Sequence, residues 1–175
     1  MLTGTGRAQI VIVGCGFGGL FAARALSRTP ADVLVIDRNN YHLFQPLLYQ
    51  VASAALAPAD IAQPIRTILR DQQNARVMLA RVDAVDLAAR RVIADGVGVG
   101  YDYLVLAPGA VDNYFGHDDW RHFAPGMKAV EEATFIRSAG SASISAVSNE
   151  RSRRERMKVA SSMAFMPGAK WRQSS

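Results

Sequence analysis

The sequence contains a single cysteine, Cys15, among its 175 residues. An intramolecular disulfide and a cysteine-rich metal site are therefore excluded, and a reducing, cytoplasmic setting is expected. The start of the chain lacks a basic segment followed by an apolar one, so no signal peptide is expected. The longest uncharged stretch, residues 39–59, contains two prolines, a histidine and several amides, which argues against a transmembrane span.

Acidic charge is scarce only at one end of the chain. The formal net charge is +5, yet residues 1–137 carry 13 basic and 13 acidic side chains, whereas residues 138–175 carry seven and two. Binding to nucleic acid needs a basic face on a folded scaffold, so we expect no nucleic-acid partner. Half of the residues are apolar, which is enough for one globular core.

The first forty residues predict a βαβ unit. Residues 10–13 form a β-branched run that is typical of a buried parallel strand. Residues 17–27 are rich in alanine and leucine and predict a helix that ends before Pro30. A second apolar run at residues 33–36 predicts the next strand.

The following segment predicts a mixture of elements. Asp60 and Gln63 have the spacing of a capping box, and a helix starting there would place Ile61, Ile65, Ile68 and Leu69 on one face. Residues 76–85, 91–94 and 97–100 predict an antiparallel meander, with Asp95-Gly96 as a hairpin turn. Residues 103–106 predict a buried strand, and another helix begins near residue 130. The expected fold class is α/β, with a Rossmann-like parallel sheet and an added antiparallel meander.

Composition changes abruptly after residue 137. Residues 138–175 contain ten of the twelve serines and an arginine cluster at 151–156 without an apolar face. This pattern predicts a tail that is disordered or, at best, a fraying helix. We expect it to be either the product of a frameshift near codon 137 or a genuine extension.

A glycine loop joins the first predicted strand to the first helix. Gly14, Gly16 and Gly19 fit the G-x-G-x-x-G motif, in which glycines allow a tight turn, close approach of a pyrophosphate and helix–sheet packing. Asp37 ends the second strand 18 residues after Gly19, where a carboxylate can accept hydrogen bonds from a ribose diol. The combination predicts a dinucleotide site but does not separate FAD from NAD.

Other reactive side chains are isolated. Cys15 is interpreted as a small side chain within the loop, because disulfide redox chemistry needs a second cysteine. His42 is interpreted first as a structural histidine, with a functional role left open. Neither a histidine–carboxylate metal pattern nor a G-x-S-x-G nucleophile motif is present, so no metal is expected and no catalytic residue is assigned.

Four segments together resemble the N-terminal part of type II NADH dehydrogenase, the non-proton-pumping NADH:quinone oxidoreductase. They are residues 10–19, 36–52, 60–70 and 101–109. The resemblance implies that residues 8–137 are the N-terminal part of an FAD-binding domain in a two-dinucleotide-binding fold. It also implies FAD as cofactor, NADH and quinone as substrates, and a peripheral position on the cytoplasmic face of the membrane.

The same resemblance implies a set of cofactor-binding residues. The glycine loop would hold the FAD pyrophosphate, and it comprises Gly14, Cys15, Gly16, Phe17, Gly18 and Gly19. Asp37 would hold the adenosine ribose, with Arg38 beside it. His42 would lie near the flavin, the backbone of Val82 would meet the adenine, and Gly109 would close its loop against the cofactor.

Two substitutions and one gap depart from the family pattern. Cys15 stands where the family usually has glycine, and Pro108 stands where it usually has threonine. The second dinucleotide motif, the returning half of the FAD domain and the membrane-binding helices are missing, so the chain is expected to be inactive alone. Two alternatives remain: a non-enzymatic FAD- or ADP-binding module, and an NAD-binding Rossmann domain of another dehydrogenase.

Overall fold

The computed structural model describes residues 6–141. Within this range the strands are β1 (Ala8–Val13), β2 (Ala31–Asp37), β3 (Tyr41–Leu43), β4 (Ala62–Pro64), β5 (Ala75–Leu79), β6 (Val82–Asp86), β7 (Arg91–Ala94), β8 (Val97–Gly100) and β9 (Tyr103–Leu106). The α-helices are α1 (Phe17–Ala25), α2 (Leu48–Ala52), α3 (Ile65–Ile68) and α4 (residues 130–141).

Four parallel strands form the main sheet, in the order β5–β2–β1–β9. Alternate residues of β1 face opposite layers, as the period of a strand requires. Ile10 and Ile12 pack in a cluster with Leu20 and Ala23 of α1. Val11 and Val13 belong to a second cluster on the other face, which includes residues of β7 and β8. The predicted α/β class with a Rossmann-like parallel sheet and an antiparallel addition is confirmed.

The antiparallel sheet β6–β7–β8 covers one face of the main sheet. The predicted turn at Asp95-Gly96 joins β7 to β8, and both residues have positive φ, at 46° and 77°. Two consecutive residues in this region are the mark of a type I′ turn, whose twist matches that of the strands. The continuous strand expected at residues 76–85 of the meander is instead divided. β5 pairs in parallel with β2 in the main sheet, and only β6 belongs to the antiparallel sheet.

The helix expected to start at the Asp60–Gln63 capping box begins later. Asp60 belongs to a 3₁₀ turn and accepts a hydrogen bond from the Ala57 amide at 2.8 Å. Gln63 pairs with His42 in the short β3–β4 ladder, so its backbone is extended. The α3 helix spans only Ile65–Ile68. The local capping signal is overridden because the ladder satisfies the same backbone groups.

The β9 strand forms where it was expected but is not fully buried. Tyr103 is 64% exposed and Leu106 is 59% exposed, while Leu104 and Val105 are half-buried. The strand pairs with β1 on one side and is the edge of the described sheet. An apolar run thus marks a strand correctly but does not show whether neighbouring elements cover both of its faces.

The helix predicted near residue 130 is present, and it continues past residue 137 to residue 141, where the described part ends. The tail expected to be disordered falls mainly on residues 142–175, which lie outside the described residues. None of the helices within residues 6–141 has the length and apolar character needed to cross a bilayer. The same range contains no cluster of three or more metal-ligating side chains.

Asn74 secures the connection from α1 to β2. Its Nδ2 donates to the carbonyl oxygens of Leu26, Thr29 and Ala31 at 3.0–3.1 Å. Its Oδ1 accepts from Gln72 Nε2 at 3.0 Å. This one amide therefore joins the end of α1 to the start of β2.

Replacing Asn74 should therefore destabilise the fold. We expect Asn74→Ala to lower the free energy of unfolding by about 2 kcal/mol, because three carbonyls lose the side-chain amide that they share. Urea denaturation followed by circular dichroism measures the change. The exposed neighbour Gln73 provides the control, and an equal loss in Gln73→Ala would contradict the assigned role.

Candidate dinucleotide site

The carboxyl ends of the parallel strands bring the candidate residues together. The Gly14 amide, just after β1, donates to the Ile36 carbonyl at 2.8 Å. The Ala107 amide, just after β9, donates to the Val13 carbonyl at 2.8 Å. In the sheet, β2 lies next to β1 on one side and β9 lies next to β1 on the other side. In open α/β sheets this reversal of strand order is where ligands bind.

Two glycines of the loop are required by the fold itself. Gly14 has φ +91°, and a Cβ there would collide with the backbone carbonyl of Ala107. A Cβ on Gly19 would collide with the carbonyl of Gly14, because the first turn of α1 packs directly on the end of β1. Their lack of a side chain is explained by packing within the protein.

Gly16 differs from both. Its φ of −67° and ψ of −161° are extended and open to other residues, and no atom lies within 4 Å of the position a Cβ would occupy. Neither conformation nor packing within the described residues requires glycine here. The backbone of Gly16 therefore faces open space at the start of α1.

Free backbone donors lie at Gly16 and in the first turn of α1. The amides of Gly16, Phe17 and Gly18 have no hydrogen-bond acceptor among the described residues. The first turn of α1 contains no acidic side chain. Unpaired amides and the helix dipole together create a positive potential that attracts an anion.

Asp37 links the end of β2 to the glycine loop. Its Oδ2 accepts a hydrogen bond from the Cys15 amide at 2.6 Å, and its Oδ1 accepts one from the Asn39 amide at 2.8 Å. A carboxylate has about four lone-pair directions, so each oxygen can accept one further hydrogen bond. Asp37 is thus held beside the loop with acceptor capacity remaining.

The Cys15 side chain points into the core. It is 1% exposed and packs in the cluster of β1, β2 and α1 side chains. Burial, and secondarily the negative charge of Asp37, raises the pKa of its thiol to about 11. The thiol is therefore protonated at neutral pH, which agrees with its interpretation as a small packing residue.

His42 is buried against the same loop. Its Nδ1 lies 2.9 Å from the Cys15 carbonyl oxygen. The Phe17 ring contacts the imidazole edge-on, with centroids 5.2 Å apart, and also contacts Phe44 at 5.4 Å. The β3 strand is thereby attached to the glycine loop by one hydrogen bond and one aromatic cluster.

Arg38 directly follows Asp37, and Val82 lies two residues after Ala80. Arg38 is exposed. The pKa of Tyr41 is raised, mainly by burial and also by the negative charges of Glu131 and Asp37. The positive charge of Arg38 offsets part of this rise. Val82 starts β6 shortly after Ala80, whose amide donates to the Asp37 carbonyl at 2.9 Å.

Gly109 follows β9 with φ +79°, a conformation that favours glycine. It lies two residues beyond Ala107, on the segment whose backbone approaches Gly14. No atom lies within 4 Å of the position that a Cβ on Gly109 would occupy.

Sequence reasoning missed one neighbour of the loop. Ala107 packs over Gly14 through its carbonyl, and its Cβ lies 3.6 Å from the Cβ position of Gly18. The signal was the run of small residues at 107–109, directly after the last strand. The contacts of Ala107 show that the loop after β9 packs against the glycine loop.

Comparison with known proteins gives a consistent picture. The family model for pyridine nucleotide-disulphide oxidoreductases matches residues 8–153. Type II NADH:quinone oxidoreductase NdhA of Mycobacterium tuberculosis is 45% identical over 157 residues, which are 86% of this chain and 33% of the relative. The relative Ndh of the same organism is 45% identical over 135 residues, 75% of this chain and 29% of the relative.

Solved structures agree with these relatives. NDH2 of Plasmodium falciparum in complex with NADH superposes with a TM-score of 0.69 at 26% identity, covering 75% of this chain and 28% of that one. Sulfide:quinone oxidoreductase of Aquifex aeolicus shares the fold, with a TM-score of 0.69 at 23% identity over 77% of this chain and 32% of that one.

The resemblance to type II NADH dehydrogenase is confirmed, and the chain corresponds to the N-terminal part of those proteins. It spans about a third of the length of the curated relatives it matches. The family match extends beyond residue 137, and the division of the chain at that residue stays a prediction.

The raised pKa of Cys15 predicts its reactivity. In the folded chain, alkylation by iodoacetamide at pH 7 should be much slower than in urea, because the thiol is both buried and protonated. In urea the rate should level off near the ordinary pKa of 9.0. A folded chain that reacts as fast as the unfolded one at pH 7 would contradict the burial.

The same shift predicts how stability changes with pH. The thiol releases its proton more readily in the unfolded chain, so its contribution to stability is complete below pH 9 and is lost between pH 9 and about pH 11. Urea denaturation across this range measures the change. Cys15→Ala, which has no thiol, should lack this component of the decline.

Proposed function

Because the chain belongs to the pyridine nucleotide-disulphide oxidoreductase family, we propose that its glycine loop binds the pyrophosphate of FAD. The observation that carries the proposal is the open space at Gly16. Gly14 and Gly19 are explained by internal packing, whereas Gly16 is explained by a ligand whose phosphates approach the backbone. The unpaired amides at the start of α1 supply the hydrogen-bond donors for that ligand.

Asp37 is proposed to bind the ribose of the adenosine half. Its carboxylate is held beside the loop by two amides and retains acceptor capacity for the two ribose hydroxyls. The same negative charge repels a 2′-phosphate, so a dinucleotide without that phosphate is favoured. Arg38 beside the ribose and the backbone of Val82 near the adenine complete this half of the proposed site.

His42 and Gly109 are proposed to lie towards the flavin half. His42 is fixed by its contacts with Cys15 and Phe17. Gly109 lies on the loop that packs over Gly14. The residues present therefore fit a dinucleotide whose phosphates lie at Gly16 and whose ribose lies at Asp37, with two protein segments leading away from the phosphates.

The wider reaction is proposed from the relatives. FAD held by these residues would supply the chemistry of enzymes of this type, in which hydride is taken from NADH and electrons are passed to quinone. This chain's own residues would bind and orient the cofactor, in an assembly peripheral to the cytoplasmic face of the membrane. Because the chain spans about a third of its relatives' length, we propose that it binds FAD but does not oxidise NADH alone.

Titration of the purified 175-residue chain with FAD tests the proposal. We expect quenching of flavin fluorescence with saturable binding, and no NADH oxidation with a quinone acceptor. Binding of NAD without FAD would support an NAD-binding domain instead. Absence of binding to FAD, ADP and NAD would overturn the proposed site.

Substitution at Gly16 should separate binding from folding. We expect Gly16→Ala to fold normally, because its Cβ meets no protein atom, and to lose at least about tenfold in FAD affinity, because the methyl group blocks the phosphates. Gly19→Ala should lower thermal stability instead, since its Cβ collides with the Gly14 carbonyl.

Gly100→Ala is the matched control, because Gly100 also has open space at its Cβ position but lies far along the chain in β8. Calorimetry and flavin titration should show it unchanged in both properties. Equal FAD affinity of the Gly16→Ala and Gly100→Ala variants would refute the phosphate site.

Substitution of Asp37 should weaken binding of the adenosine half. Asp37→Asn removes the negative charge and one acceptor oxygen, so we expect the affinities for FAD and ADP to fall by a similar factor, about tenfold. Isothermal titration with each ligand measures this. Asp83→Asn, an exposed change on β6, is the control. Unchanged affinities in Asp37→Asn would rule out the ribose contact.

A further inference from the structure

The backbone amide and the backbone carbonyl of Cys15 are both bound by side chains from other elements. Its amide donates to Asp37 Oδ2 at 2.6 Å, and its carbonyl oxygen lies 2.9 Å from His42 Nδ1. A carbonyl oxygen can only accept, so the hydrogen of this second bond belongs to Nδ1. His42 therefore donates from Nδ1, whichever state its other ring nitrogen adopts.

The Cys15 carbonyl belongs to the same peptide group as the Gly16 amide. The described residues contain no cis peptide bond, so in this peptide the carbonyl oxygen and the N–H point in opposite directions. Since His42 binds the carbonyl, the Gly16 N–H points away from His42. That N–H has no acceptor among the described residues.

The position of the imidazole is itself fixed. His42 is 9% exposed and pairs with Gln63 in the β3–β4 ladder, while Phe17 contacts its ring edge-on. A buried imidazole without a partner for Nδ1 would be costly, so the bond to Cys15 is strongly favoured. Rotation of the Cys15–Gly16 peptide would break it.

We infer that His42 is a positioning residue, which orients the Gly16 N–H towards the phosphates by binding the opposite side of the same peptide group. This rests on the proposed binding of FAD at the glycine loop. His42 then acts on any ligand that carries the pyrophosphate, through the loop, and not only on ligands that carry a flavin ring.

Two polar substitutions distinguish this role. In His42→Asn the side-chain amide nitrogen stands the same number of bonds from Cα as Nδ1, so the bond to Cys15 can form. In His42→Gln the nitrogen stands one bond farther. We expect His42→Asn to keep FAD and ADP affinities within about threefold of the unsubstituted chain, and His42→Gln to lose about tenfold for both ligands.

Isothermal titration with FAD and with ADP, which has the pyrophosphate but no flavin, measures these affinities. Thermal unfolding of each variant without ligand separates a binding defect from a loss of fold. Nitrogen NMR of the unsubstituted chain provides an independent test, because His42 should carry a proton on Nδ1. This last measurement does not depend on any variant folding.

The outcomes separate the inference from the proposed function. If the unsubstituted chain binds neither FAD nor ADP, the proposed function fails. If it binds both, equal affinities of the Asn and Gln variants overturn the inference alone. A His42→Gln variant that loses FAD affinity but keeps ADP affinity would also overturn the inference. So would an NMR spectrum showing that His42 Nδ1 of the unsubstituted chain carries no proton.

Discussion

The contact between the first turn of α1 and the end of β1 governs the whole site. A Cβ on Gly19 would collide with the Gly14 carbonyl, and a Cβ on Gly14 would collide with the Ala107 carbonyl. Helix, strand and the loop after β9 can meet only because these positions lack a Cβ. That contact places the unpaired amides of α1 at the carboxyl ends of the parallel strands.

Side chains from the next two strands complete what the glycines begin. Asp37 from β2 holds the Cys15 amide, and His42 from β3 holds the Cys15 carbonyl. The loop is thus bound on both sides by groups distant in sequence. Pre-arranged amides lower the entropy cost of binding an anion, since they need not be ordered when the ligand arrives.

The parts of the structure that depend on local spacing were predictable. The glycine motif, the position of Asp37 and the Asp95-Gly96 turn follow from residues close together in the chain, where backbone conformation allows few alternatives. The roles of Asn74 and His42 were not predictable. Each binds carbonyls 27 or more residues away, and those partners are adjacent only in the folded chain.

The late start of α3 and the exposure of β9 show the same limit. A capping pattern at Asp60 competes with a ladder formed by Gln63 and His42, and the ladder prevails through contacts that no local pattern encodes. Residue types and their spacing established the βαβ unit and its glycine loop, because steric rules for the backbone act locally. Only the tertiary structure brings Ala107 and Asp37 to the glycine loop and places His42 against the Cys15 peptide. These contacts form when distant segments of the chain pack together, so local sequence patterns do not encode them.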